Sequence, residues 1–300
     1  MAAFLAPFRF VACVAILSLG GRAAAQPTKA TTPSTTKVIV NGRSIRVSAT
    51  GIEQRTPGQP VLILESGAGE EGGIDEWTPA IPALAKLAPV ISYDRHGIGQ
   101  SDPDTQPRTI RRVAVTLHEL LQAMRVPPPY VLVGHSWGGI LIRGFAELYG
   151  SEVAGLVFIE AMDSDTTRQE FAAALPEAER KDALEPPEVP TIPPDTPPGL
   201  RAEYEDIREN LLNDFAEART LKPRTDVPIS VVVATPPGRL KHPGDVQMRL
   251  AIRHWTDLVL GSTNGLLIVS GDVKHNIAGN DPELVAQAVR HVLNNAQAKQ

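Results

Sequence analysis

The chain has 300 residues, a formal net charge of -5, 42% hydrophobic residues and 21% charged ones. Such values describe a folded chain with a sizeable core and exclude wholesale disorder. They leave no basic footprint for nucleic acid, and the single cysteine, Cys13, excludes an internal disulfide framework and a cysteine-built zinc or iron–sulfur site.

Residues 1–25 read as a signal peptide. Arg9 supplies a positive start, Phe10 to Leu19 is an apolar run, and Ala23-Ala24-Ala25 is a small-residue cleavage site before Gln26. The run is shorter than the roughly 20 residues that span a bilayer, so cleavage is preferred over a retained anchor. The expectation is an exported protein, periplasmic or secreted, that loses Cys13 with its leader and keeps no stable membrane span. Residues 26–36, rich in Thr, Pro and Ala, read as a disordered lead-in.

From Lys37 to Val47 apolar and polar residues alternate around Asn41-Gly42, the pair that supplies positive φ at both turn positions of a hairpin. Short apolar runs follow at Val61–Glu65, Val90–Asp94, Tyr130–Gly134, Val153–Glu160, Ile229–Ala234 and Gly265–Ser270. They are apolar at successive positions, as strands covered on both faces must be. Val113, Leu117, Leu120, Leu121 and Met124 recur at helical spacing, and Asp281-Pro282 opens a closing helix with Val285, Val289 and Val292 on one face. The rhythm is that of an α/β fold: a mostly parallel sheet with an N-terminal antiparallel hairpin and helices on both faces.

One segment, 162–226, breaks the alternation. It offers helices near Thr166–Leu184 and Leu200–Leu221, joined by Glu185–Pro198, which holds seven of the 27 prolines and should be stiff and extended. The predicted organisation is a core of residues 37–161 and 227–300 carrying a cap insertion at 162–226.

The stretch that carries chemistry is Val131-Leu-Val-Gly134-His135-Ser136-Trp137-Gly138-Gly139: a strand, a Gly-x-Ser-x-Gly turn, and a helix expected to begin near Ile140. The glycines allow a sharp turn that lifts the serine hydroxyl into the open, and the positive end of the helix favours an oxyanion there. With this motif the sequence resembles the α/β-hydrolase superfamily in its serine-nucleophile branch, over about residues 37–297. Leu64-Glu65-Ser66-Gly67-Ala68-Gly69 resembles the superfamily's oxyanion loop, which implies that the backbone N–H groups of Ala68 and Trp137 hold the tetrahedral oxygen. Tyr93 to Ser101 (Tyr-Asp-Arg-His-Gly-Ile-Gly-Gln-Ser) resembles the loop that buttresses the elbow. Ser270-Gly-Asp-Val-Lys-His275-Asn-Ile277 lies where the superfamily places its catalytic histidine.

The resemblance therefore selects His275 as base among seven histidines. His135 lies inside the elbow and reads as packed beneath it, His96 belongs to a glycine-rich loop, His242 and His254 fall in or after an irregular stretch, and His291 faces solvent on the last helix. His118-Glu119-Leu-Leu-Gln122 falls short of a zinc-binding helix because Gln122 stands in place of the second ligand, so neither a metal nor a cofactor is expected.

The acid is less clear-cut. The superfamily usually places it after the strand Ile229–Ala234, but the first carboxylate there is Asp245. Glu160, closing the apolar strand from Val153, is the preferred acid, since a carboxylate buried there needs a partner and a histidine N–H supplies one. Asp163 and Asp245 stand behind it, and Glu160 as a structural ion-pair partner remains open.

The implied function is hydrolysis of a carboxylic ester of a small neutral or apolar molecule through an acyl-enzyme on Ser136. The serine disfavours the dehalogenase and epoxide-hydrolase branches, which use an aspartate. An amidase or peptidase, a lactonase, an acyltransferase and a perhydrolase could use the same triad, and a non-catalytic ligand-binding scaffold is the competing class. No nucleic-acid partner is expected, and oligomeric state is left open.

Overall fold

Among the described residues eight strands form the sheet, and the six that follow the N-terminal hairpin keep close to the apolar runs of the sequence. A computed structural model describes residues 33–69, 73–104, 106–189, 191–235, 244–271 and 273–296. The signal peptide expected at 1–25, Cys13 and His242 lie outside the described residues. In chain order the elements are β1 (Ser34–Val40), β2 (Arg43–Thr50), β3 (Val61–Glu65), α1 (Ile74–Trp77), α2 (Ile81–Leu84), β4 (Val90–Tyr93) and α3 (Ile110–Ala123). Next come β5 (Tyr130–His135), α4 (Trp137–Leu148), β6 (Val153–Ile159), α5 (Arg168–Ala174), α6 (Arg180–Leu184), α7 (Pro198–Leu212) and α8 (Ala216–Thr220). The chain closes with β7 (Ile229–Ala234), α9 (Gly244–Gly261), β8 (Gly265–Ser270), α10 (Ile277–Asn280) and α11 (Pro282–Ala296).

The strand order is β1-β2-β4-β3-β5-β6-β7-β8. β1 and β2 form the expected hairpin, with Asn41 at φ 50° and Gly42 at φ 77°, and β2 joins β4 antiparallel; every pairing from β4 to β8 is parallel. The hairpin begins earlier than the sequence suggests. Ser34, Thr35 and Thr36, expected in the disordered lead-in, pair with Ala49, Ser48 and Val47, because the backbone ladder of β2 offers partners that composition does not reveal.

Alternate residues of each strand serve opposite cores, as the period of two requires. Val61 and Ile63 of β3 join Leu132, Phe158 and Val231 on the face covered by α3, α4 and α9. Leu62 and Leu64 join Val133, Val157 and Val232 on the face covered by α2 and α11. The expectation of double burial fails at β8, whose Val269 is 47% exposed. β8 is the edge of the sheet, so its apolar sequence lacks a neighbouring strand on one side.

Between β6 and β7 the chain forms only helices among its described residues, α5 to α8. Phe215, Ala218 and Leu221 pack against Ile110, Trp137, Ile140 and Leu141, which seats α8 on α4, the helix that starts behind Ser136.

Candidate active site

The elbow is built by backbone geometry. Ser136 sits between β5 and α4 at φ 50°, ψ -120°, and α4 starts at Trp137, three residues before the position the sequence suggests. Serine at a helix N-cap normally bonds its hydroxyl to the first turn. Here it makes no capping bond, so the hydroxyl is left for other chemistry. Two glycines allow the turn by close approach: a Cβ on Gly134 would lie 2.6 Å from the Gly138 carbonyl oxygen, and one on Gly138 only 2.3 Å from that of Glu65.

The second strained residue is Glu160, at φ 44° just beyond β6. Ser136 N–H donates to Ile159 O at 3.2 Å and Met162 N–H donates to Ser136 O at 3.0 Å, so the two left-handed residues occupy adjacent strand ends tied to each other. Strain of this kind costs about 1–3 kcal/mol per residue and persists where the surroundings enforce it, often at functional sites.

Glu160 is 5% exposed. Its Oε2 accepts from Ala234 N–H at the end of β7, and its Oε1 lies 3.8 Å from His275 Nδ1. That separation is within ion-pair reach but longer than a hydrogen bond. Catalytic hydrogen bonds are often long before substrate binds. The His275 side chain is 58% exposed. Of the three candidate acids, Glu160 is the one found beside His275. Asp163 instead accepts from Asp165 N–H at 2.9 Å and lies 3.4 Å from His254 Nδ1, and Asp245, in the first turn of α9, pairs with Arg249 at 3.8 Å.

The loop after β3 lies against the elbow: a Cβ on Gly67 would approach Ser136 Cβ to 3.2 Å and His135 Nδ1 to 3.1 Å. Ala68 is exposed, and its N–H has no acceptor among the described residues. Trp137 N–H belongs to the first turn of α4, where amides lack intrahelical partners. Among the described residues the Ala68 N–H thus has no acceptor, and the Trp137 N–H is a first-turn amide adjoining Ser136.

Supporting residues were not visible in the sequence. Glu76, on α1, accepts from Gly67 N–H at 3.0 Å and contacts His135 Nδ1 at 2.9 Å. The Tyr93–Ser101 loop, expected to buttress the elbow, reaches the loop after β3 instead. Its buried Arg95 donates to Glu65 Oε1 at 2.7 Å, Ser66 O at 2.8 Å and Gly67 O at 2.6 Å. Burial works to lower the Arg95 pKa, but the charges of Glu203 and Glu65 outweigh it and raise it. Tyr93 donates to Glu65, whose pKa burial pushes up against the opposing charge of Arg95. No sequence signal joins these charges, which come from four separate segments.

The remaining histidines have other partners. His118 stacks on Tyr149 with ring centroids 3.8 Å apart and contacts Glu152 at 3.0 Å; His96 Nδ1 donates to Asp102 O at 3.1 Å. His291 Nε2 faces Asn264 O at 3.4 Å.

Residues 59–193 match the family described as alpha/beta hydrolase fold. An AB hydrolase superfamily protein of Gibberella zeae is 34% identical over 129 residues, 42% of this chain and 39% of that one. Proline iminopeptidase of Heyndrickxia coagulans is 33% identical over 115 residues, 38% of each chain. Both matches thus span less than half of the relatives' length. The crystal structure of haloalkane dehalogenase DbeA from Bradyrhizobium elkani superposes with a TM-score of 0.62 at 17% identity, covering 90% of this chain and all of that one, a likeness of fold.

Proposed function

We propose that this chain, an α/β hydrolase in fold and family resemblance, is a serine hydrolase that cleaves a carboxylic ester or related acyl bond of a small neutral or apolar substrate. The observation that carries the reading is Ser136, held at positive φ with its hydroxyl uncommitted to capping and its N–H tied to Ile159 O beside Glu160, the carboxylate whose Oε1 lies 3.8 Å from His275 Nδ1.

In this reading Ser136 Oγ attacks the substrate carbonyl carbon while its proton passes to His275. The carbonyl oxygen becomes an oxyanion and is received by the N–H groups of Ala68 and Trp137, each donor worth about 3–4 kcal/mol in the transition state. Collapse expels the alcohol, which takes the proton from His275 and leaves an acyl-enzyme. Water then attacks that ester, His275 removes its proton, and the acid and Ser136 are released. Glu160 orients the imidazole and stabilises its charged form; Ala234 N–H fixes the carboxylate. Segment 162–226 is the cap over this site, and the protein works outside the cytoplasm after loss of residues 1–25. The overall charge, -5 for the full chain and more negative without Arg9 and Arg22, gives no long-range attraction for anions, which favours neutral substrates.

Screening p-nitrophenyl esters of graded acyl length tests the reading and reports pocket depth. Turnover that disappears in Ser136→Ala is expected, and turnover that survives this change would contradict it.

A further inference from the structure

Alternate amides of the loop after β3 are occupied by two carboxylates from separate elements, α1 and α7. Gly67 N–H donates to Glu76 Oε2 at 3.0 Å and Gly69 N–H to Glu203 Oε1 at 3.1 Å. Ala68 N–H, between them, has no acceptor among the described residues. Glu203 comes from α7, in the segment between β6 and β7, and is 2% exposed. Its Oε2 accepts from Arg95 Nε at 2.9 Å and from Arg108 Nη1 at 3.2 Å.

The peptide planes explain what this achieves. A trans peptide points its carbonyl and its N–H in opposite directions within one plane. Arg95 Nη2 donates to Gly67 O at 2.6 Å, which aims the Ala68 N–H away from Arg95. Glu203 holds the N–H of the following plane, that of Gly69. Both planes flanking the Ala68 Cα are therefore fixed, one by Glu203 directly and one by the guanidinium that Glu203 grips. The chain between them is otherwise free to turn, with glycine on either side of Ala68 and Gly69 at φ 111°. A loop so rich in glycine loses much entropy on ordering, and the two anchors hold it against that loss.

We propose that Glu203 is a positioning residue for the oxyanion site: it sets the direction of the Ala68 N–H, so that donor is in place only when α7 is seated. The inference rests on the serine-hydrolase reading above. It makes the segment between β6 and β7 part of the apparatus that sets the oxyanion donor.

The test compares Glu203→Asp, which keeps the charge beside Arg95 and Arg108 but withdraws from Gly69 N–H, with Glu203→Gln, which keeps the reach but puts a donor beside Arg95. kcat and KM for a p-nitrophenyl ester are measured with the inhibition constant of a trifluoromethyl ketone, which forms an oxyanion on the serine. For Glu203→Asp, kcat is expected to fall about 10- to 100-fold, the ketone to weaken by a similar factor, and KM to stay within about threefold. Glu203→Gln should lose less in kcat and more in Tm. Unchanged kcat and ketone binding in folded Glu203→Asp, or a raised KM alone, would overturn the proposal. Amide exchange in the wild-type protein gives a check that needs no variant: Gly69 should be protected and Ala68 not, and equal exchange of the two would also overturn it. A fluorophosphonate adduct on wild-type Ser136 with unaffected Glu203 variants removes this inference alone. Absence of both adduct and turnover removes the hydrolase reading and this inference with it.

Discussion

His135 Nε2 donates to the main-chain carbonyl of His275 at 2.9 Å, joining residues 140 positions apart. Its Nδ1 lies 2.9 Å from Glu76 Oε1, and the two histidine rings sit with centroids 4.8 Å apart. A carbonyl and an ionised carboxylate both accept, so the two partners favour the doubly protonated form of the ring. The residue before the proposed nucleophile thus holds the backbone of the residue proposed as base.

This arrangement gives a pH dependence of stability. Burial works to lower the His135 pKa, but the hydrogen bond and charge of Glu76 outweigh it and raise it. A raised folded value means the stabilisation is fully present below the ordinary histidine value of about 6.5 and is lost as pH rises through the folded value. His135→Asn should lower stability by about 2 kcal/mol on the acid side, with the gap narrowing as pH rises. Thermal melts of both proteins across this range measure it; a gap that widens with pH contradicts the assignment.

The acid assignment is tested by three amides. In Glu160→Gln the side-chain oxygen must still accept from Ala234 N–H, which turns the NH2 toward His275 Nδ1. That favours the wrong imidazole tautomer, and kcat is expected to fall about a thousandfold or more. Asp163→Asn and Asp245→Asn should leave kcat within about threefold, since their partners are His254 and Arg249. Steady-state kinetics on one ester decides, and collapse in an aspartate variant alone would displace Glu160.

Asp206, on α7, carries its own signature. Burial, followed by the charges of Glu217, Glu209 and Glu203, pushes its carboxyl up to about 7. Its unfolded value is near 3.9, so stability falls as pH rises from there through about 7, where the penalty for ionising it in the fold becomes complete. Asp206→Asn is expected to raise Tm above about pH 7 and to leave it unchanged near pH 4. Equal Tm at alkaline pH would contradict this.

Local pattern accounts for what the sequence reveals. Asn41-Gly42 encodes its turn through positive φ, and the limits of β3, β7 and β8 coincide with apolar runs. The Gly-x-Ser-x-Gly turn announces Ser136, because crowding at Gly134 and Gly138 leaves no alternative residue. What stays hidden depends on tertiary meeting. Glu65, Arg95, Arg108 and Glu203 read as ordinary charges until the fold buries them together. The exposure of β8 follows from its place at the sheet edge, which no residue of β8 encodes.

Ser136 is proposed as an activated nucleophile. Incubating the folded wild-type protein with a fluorophosphonate and locating the adduct by peptide mass spectrometry tests it most directly. One covalent adduct is expected, on Ser136, with its formation slowed about a thousandfold or more in His275→Ala. A folded protein that leaves Ser136 unmodified would contradict it.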